Sequence, residues 1–88
     1  MALYIDPPIW HARGRLWSHL VSDVSFEELH EFAARLGAPP RAFERDHYDI
    51  PEEGYARAVE LGAQEVSCQV LLGHLRASGL RRPKFAAR

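Results

Sequence analysis

Apolar residues recur along this chain at two different periods. Over RLWSHLV (15–21) they alternate, with Leu16, Ser18 and Leu20 on one side and Trp17, His19 and Val21 on the other. A period of two predicts a strand. From Phe26 the spacing changes: Phe26, Leu29, Ala33 and Leu36 fall on one stripe of an amphipathic helix. Ser25 stands where an N-cap belongs and Glu28 three residues on, the pattern of a capping box, with Val24 and Leu29 at the positions of a hydrophobic staple. Glu31 and Arg35 pair outward four residues apart. Gly37 supplies a left-handed end, and Pro39 and Pro40 prevent the helix from resuming. The spacing therefore predicts a helix over 26–36.

The remaining segments are shorter. ALYI (2–5) is rich in strand formers and stops at DPP, which cannot continue a ladder. PPIWHARG (7–14) reads as a loop, and RAFERD (41–46) as one helical turn that puts Phe43 on the core. HYDI (47–50) is a short strand. A helix is expected over 51–61, with Pro51 in its first turn, Glu52 and Glu53 favoured by the helix dipole, and Gly62 closing it. AQEV (63–66) is a further strand. Ser67 then caps a third helix striped by Cys68, Leu71, Leu72 and Leu75, which Gly79 ends with Leu80 packing back.

The order β-β-α-β-α-β-α predicts an α/β fold: a small single-domain sheet of about four short strands, mostly parallel, with three helices. Strand–helix–strand units normally form right-handed parallel crossovers, so the last three strands are expected to be parallel. The first two are joined by about nine residues, short for such a crossover, so a hairpin is the default and insertion of the first strand elsewhere stays open. The domain is placed at residues 1–80. RRPKFAAR (81–88) is read as a flexible basic tail.

Composition narrows the classes. A chain of 88 residues holds one domain with a modest core. The 47% hydrophobic and 26% charged fractions are those of an ordinary globular protein. Cys68 is the single cysteine, which excludes an internal disulfide and a thiolate-rich zinc cage. The opening MALYIDPPIW lacks the basic start and apolar run of a leader, and no stretch reaches the roughly 18–20 apolar residues of a membrane span, so the cytoplasm is the expected location. Charge is unevenly spread: residues 22–65 carry eleven acids against four arginines, whereas residues 66–88 carry five bases and no acid. A basic end on an acidic body suits nucleic acid, an acidic protein partner or self-association as a homodimer. The ordinary account is a solvated, partly disordered terminus.

Candidate chemistry gathers where strands end, because ligands of open parallel sheets sit beyond the carboxyl ends of the strands. Asp23, Asp49 and Ser67 are expected at one edge, with Asp6 joining them if the first strand is parallel too. His19 and His47 lie on strands nearby. Carboxylates with imidazole suit a divalent ion, which could activate water against a phosphoryl group. The expected metal set is Asp6, Asp23, His47 and Asp49, with His19, His47 and Arg15 as the catalytic group: a histidine to move a proton and Arg15 to hold phosphate. Ordinary accounts compete with each. Asp49 could cap the helix after it with Glu52 three residues on, Asp6 could open a turn before Pro7, Asp23 could sit in a solvated turn, and His19 could be a hydrogen-bonded core histidine. For His47, Asp46 stands beside it and Asp49 shares its strand face, so a carboxylate could orient the ring. Tyr48 points the other way, toward the core, with its hydroxyl tethered. His11, Arg13 and Arg15 around Gly14 form a second device for an anion, flanked by Trp10 and Trp17, which could stack on a base or belong to the core. Cys68 lies on an apolar stripe and reads as packing. His30 and His74 receive no role. There is no phosphate-cradling glycine loop, no Gly-x-Ser-x-Gly elbow and no paired-cysteine motif.

YID at the start, GRLWSHLVSD, FAARLG, DHYDI and AVELGAQEVS together resemble the domain-of-unknown-function family four thousand and thirty-one, a family of short bacterial and phage proteins. The likeness runs from about Leu3 to Leu75. The family's tyrosine-x-aspartate, glycine–arginine, histidine four before aspartate, and aspartate–histidine–aromatic–aspartate features fall on Tyr4 and Asp6, Gly14 and Arg15, His19 and Asp23, and Asp46 to Asp49. The resemblance implies no activity. The Pro7, Pro8, Trp10 loop and the basic tail depart from the pattern. Two functions are carried forward. One is a polar site for a divalent metal or a phosphate-containing small molecule, with metal-assisted phosphoester hydrolysis as its reaction class. The other is a non-catalytic dimeric adaptor whose basic tail binds nucleic acid or an acidic protein.

Overall fold

One sheet organises the chain in the computed structural model, which describes residues 2–82. Its strands are β1 (Leu3–Ile5), β2 (Trp10–Ala12), β3 (Arg15–Ser22), β4 (Phe43–Glu44), β5 (His47–Pro51) and β6 (Gln64–Glu65). Helices α1 (Phe26–Leu36), α2 (Tyr55–Glu60) and α3 (Cys68–Ser78) connect or follow them. The spatial order is β4-β5-β3-β1-β6, with β2 pairing to β3 off that path. The α/β class and three helices agree with the sequence pattern. The expectation of mostly parallel strands does not hold: β1–β6 is parallel, and the other four pairings are antiparallel.

Two hairpins cause the difference, and both lie in segments without strand periodicity. Residues 10–12, expected in a loop, form β2, which turns into β3 through Arg13 and Gly14 at φ 50° and 76°. Two successive positive φ values match the right-handed twist of the flanking strands. Residues 41–46 are not one helical turn. A 3-10 turn at Pro40–Ala42 leads into β4, and the chain reverses through Arg45 (φ 58°) and Asp46 into β5. That reversal, placed after α1, sets β5 antiparallel to β3.

β1 and β2 lie along the same side of β3 as one interrupted strand. Leu3–Ile5 face Ser22–Leu20 and Trp10–Ala12 face Trp17–Arg15, so residues 6–9 stand opposite only Ser18 and His19. The two extra residues make a bulge at Asp6, Pro7, Pro8 and Ile9, where proline cannot donate to the ladder.

The sheet is buried on both faces, unequally. Leu3, Ile5, Leu20, Tyr48 and Ile50 pack against Leu29, Phe32 and Ala33 of α1 and Ala58 of α2. On the opposite face Tyr4 and Val21 pack against Leu71 and Leu75 of α3. That helix covers part of its face, and the β3–β5 half beside it holds polar side chains. No helix among the described residues is long and apolar enough to cross a membrane.

Helix α1 has the predicted bounds, but its start is built differently. Ser25 Oγ accepts the Glu28 N–H at 3.0 Å, the forward half of a capping box. The return half runs through Ser22: its Oγ accepts from the Ser25 and Val24 N–H groups and donates to Glu28 Oε1 at 2.6 Å. The staple does not form, since Val24 is 56% exposed while Leu29 is buried. α3 is capped by Ser67 and closed by Gly79 as its sequence predicts.

Candidate metal centre

The register of β3 against β5 assembles a polar cluster. His19 lies directly opposite Asp49, and His47, two residues earlier on β5, shares that face. The His19 and His47 rings approach edge to face at 5.1 Å between centroids. His19, His47 and Asp49 each offer a ligand atom within 4.8 Å of the others.

Each imidazole is gripped from behind by a fully buried carboxylate. Asp6, freed from the ladder by the bulge, accepts the His19 backbone N–H through Oδ1 at 2.6 Å and His19 Nδ1 through Oδ2 at 2.8 Å. Asp46 accepts from His47 Nδ1 at 2.9 Å. It also accepts the Arg82 backbone N–H at 2.9 Å and meets the Arg81 guanidinium at 3.5 Å. A carboxylate only accepts, so both Nδ1 atoms carry hydrogen, and Nε2 of each ring is left to bind outward. For His47, that atom lies 3.2 Å from Asp49 Oδ1.

The charges respond to this geometry. Burial works against the His47 imidazolium, but Asp49 and Asp46 outweigh it and hold the group above its ordinary value of 6.5. Asp49 is moved the other way. Burial alone would raise it, yet the bond from His47 and the fields of His47, His19 and Arg13 bring it below its ordinary 3.8. A second possible set, Asp6, His19 and Cys68, shares His19 with the first. Burial, followed by the adjacent Asp6 carboxylate, pushes the Cys68 thiol up despite Arg81, so without a metal it keeps its proton.

A cleft of about 210 Å³ opens above the histidines, walled by Leu71 and Leu72 of α3 and rimmed by Trp10, Arg45 and Arg81. The structure thus brings together Asp6, His19, His47 and Asp49, across the sheet face rather than beyond strand ends. Asp6 joins them although β1 is antiparallel to β3, because the bulge turns its side chain back. Asp49 is a strand residue and caps nothing. Asp23 is not part of the cluster. It follows β3 at the opposite end from Arg15, where its carboxylate accepts from Tyr4 OH at 3.2 Å. Ser67 serves as the cap of α3.

Arg15 is also elsewhere, paired with Glu53 at 3.0 Å beside a larger depression of about 770 Å³. That depression touches Asp49, but among the described residues no group of ligating side chains gathers within it. The His11–Arg15 segment forms the β2–β3 hairpin, with Arg13 over the Trp17 ring at 4.4 Å and Trp17 donating to the Ala12 carbonyl. Trp17 is therefore structural, whereas Trp10 meets His19 edge to face at the cleft. The two histidines left without a role have structural partners: His30 meets the Tyr48 hydroxyl at 2.7 Å and His74 stacks on Tyr4.

Asp46 orients His47 as its place beside the ring in the sequence suggests, whereas Arg45 and Arg81 carry no sequence signal of a site. Arg45 occupies the β4–β5 turn, where the sequence predicts a helical turn, and Arg81 lies in the segment that its composition marks as a tail. Arg81 and Arg82 contact the domain, and Arg82 lies over the Phe26 ring. The rest of the predicted tail, 83–88, lies outside the described residues.

No curated protein and no solved structure matches the chain. The sequence model of the family described as protein of unknown function (DUF4031) matches residues 3–78, in line with the resemblance in its motifs. The chain belongs to that family.

Proposed function

We propose that His19, His47 and Asp49 bind a divalent transition-metal ion. The observation that carries this reading is that His47 faces a carboxylate with each ring nitrogen, Asp46 at Nδ1 and Asp49 at Nε2. Two acceptors flank one ring, so a cation must sit between Nε2 and Asp49: a proton, or a metal that replaces it. Two imidazoles and one carboxylate are a donor set for zinc or a similar ion with a fourth position open to water. Ligand atoms of a tetrahedral zinc site stand about 3.3 Å apart. The His47–Asp49 pair already has nearly that spacing, so metal binding requires mainly a shift of His19.

Metal-assisted hydrolysis of a phosphoester is the reaction class this arrangement supports best. Held by His19, His47 and Asp49, such an ion would lower the pKa of a bound water toward neutral, so that its oxygen could attack phosphorus while the alkoxide leaves and takes the proton that the water gave up. A histidine that binds metal through Nε2 and donates Nδ1–H to a buried aspartate is not free to act as a base. Activation of water would fall to the metal ion. Asp6 and Asp46 would fix the rings and raise their basicity.

Titrating Zn²⁺ and Mn²⁺ into the protein while following thermal unfolding tests the site. Saturation at about 100 times Kd is expected to add about 2.7 kcal/mol. His47→Ala and Asp49→Asn should each abolish the gain, and Asp23→Asn should leave it intact. Hydrolysis of bis(p-nitrophenyl) phosphate by the metal-loaded protein, lost on chelation, tests the reaction. The absence of a thermal response to either ion would overturn the metal reading.

A further inference from the structure

The cleft over the histidines differs in its lining from two other depressions, which carry Glu44, Asp49 and Glu53 in one and Glu27, Glu28 and Glu31 in the other. The chain as a whole carries twelve acids against eleven lysines and arginines. Yet no carboxylate lines this cleft, while Arg45, Arg81, His19 and His47 all do. Asp6 and Asp46 lie behind the rings, fully buried, and direct their oxygens at Nδ1 atoms, backbone N–H groups and, for Asp46 at 3.5 Å, the Arg81 guanidinium; Asp49, 3.2 Å from His47 Nε2, lines the neighbouring depression instead.

Arg45 is the least constrained of these cations. Among the described residues it makes no ion pair, unlike Arg15, which is matched by Glu53. Its backbone is left-handed at φ 58°, a conformation that glycine or asparagine adopts at less cost than arginine. A residue chosen only for the turn would be one of those. Arg81 reaches the same cleft from beyond α3 and makes one long contact, 3.5 Å, with Asp46. Two guanidinium groups arriving from different segments can grip an anion with several charge-assisted bonds.

We infer that this cleft binds the phosphate group of a small phosphate ester, with Arg45 and Arg81, and not Arg15, as its anion-binding residues. The inference deepens the metal reading, on which its catalytic meaning rests, by naming what the same cleft receives. Size limits the ligand. About 210 Å³ lies below the roughly 300–1,000 Å³ typical of drug-sized ligands, so the cleft suits a phosphate bearing a small organic group. The wall dictates the character of that group: Leu72 and the half-exposed Trp10 ring offer it apolar contact.

Calorimetric titration of inorganic phosphate, into metal-free protein and into protein carrying one equivalent of Zn²⁺, tests this, with zinc binding measured separately. Arg45→Gly is the informative variant, since glycine accepts the left-handed turn and the fold is retained. It is expected to weaken phosphate at least tenfold, to leave zinc affinity within threefold, and to hold or raise the melting temperature. Arg45→Lys should recover part of the loss, and Arg15→Ala should bind phosphate as the parent does. Phosphate binding that depends on Arg45 in a protein that takes no zinc would sustain the inference and remove the metal reading. Wild-type protein that binds no phosphate in either form, or Arg45→Gly that binds it undiminished, would overturn the inference.

Discussion

Two residues on β5 make the site sensitive to pH in opposite senses. His47 is held above its ordinary 6.5 in the folded chain, so the stability it contributes is complete below that value and is lost as pH rises through the raised one. Asp49 is held below 3.8, so its contribution is present above that value and disappears as pH falls through the lowered one. Metal-free protein should therefore melt at a lower temperature at pH 8 than at pH 6, and His47→Gln should flatten that slope. A slope unchanged by the substitution would show that other groups set it. Metal affinity should run the other way and increase with pH, because the ion displaces a proton from Nε2. Ser18 offers a separate check. Its hydroxyl is buried on the α1 side of the sheet, and among the described residues it is the buried side-chain polar atom with no hydrogen-bond partner. Removing an unpartnered buried hydroxyl recovers its desolvation cost. Ser18→Ala should leave stability equal to the parent or raise it by up to about 1 kcal/mol in urea denaturation.

Among the elements, α1 shows how a local signal can be right about position and wrong about wiring. Ser25 and Glu28 sit where a capping box needs them, but Ser22, the last residue of β3, carries the return bond and joins helix to strand. Ser22→Ala would leave the Val24 and Ser25 N–H groups and the Glu28 carboxylate without this partner. A loss of about 1–3 kcal/mol is expected from urea denaturation, at an unchanged denaturant slope. A loss no greater than that of an average surface substitution, within about 0.5 kcal/mol, would show that the relay contributes little. The bulge between β1 and β2 is the other element with a consequence beyond itself. Its two surplus residues remove the ladder partner that His19 N–H would otherwise have, and Asp6 supplies a carboxylate in its place. A regular hairpin of the same length would keep the backbone bond and leave His19 without its grip.

For the molecule as a whole, the site draws on segments separated by most of the chain. Asp46, at the turn before β5, is satisfied by His47 and by residues 81 and 82 from beyond α3. Ending the chain after Leu80, compared with ending it after Arg82, removes a charge-assisted bond from a buried carboxylate. That should cost about 1.5–3 kcal/mol. It should also weaken zinc binding, because Asp46 would hold His47 less firmly. Equal stability of the two truncated chains would show that water replaces the lost donors.

The sequence by itself determined α1 and α3, the long alternating strand and the pairing of His47 with Asp49 on one face. Each is a local matter, set by spacing along a single element and by Ser, Gly and Pro at its ends. Of the helix expected over 51–61 only Tyr55–Glu60 is α-helical, because Pro51 ends β5 and a 3-10 turn at Glu52–Gly54 follows it. The sequence also singled out Asp6, His19, His47 and Asp49 by residue type. Tertiary structure decided the rest, because strand direction depends on where the chain reverses, and the reversals at Arg13–Gly14 and Arg45–Asp46 lack the asparagine or leading glycine that marks such turns. Antiparallel register then put His19 opposite Asp49 and carried Asp23 and Arg15 away from them. Asp6 acquired its role only through a bulge, and Asp46, next to His47 in the chain, found the partners for its burial only in a returning C-terminal segment; neither feature has a period to read.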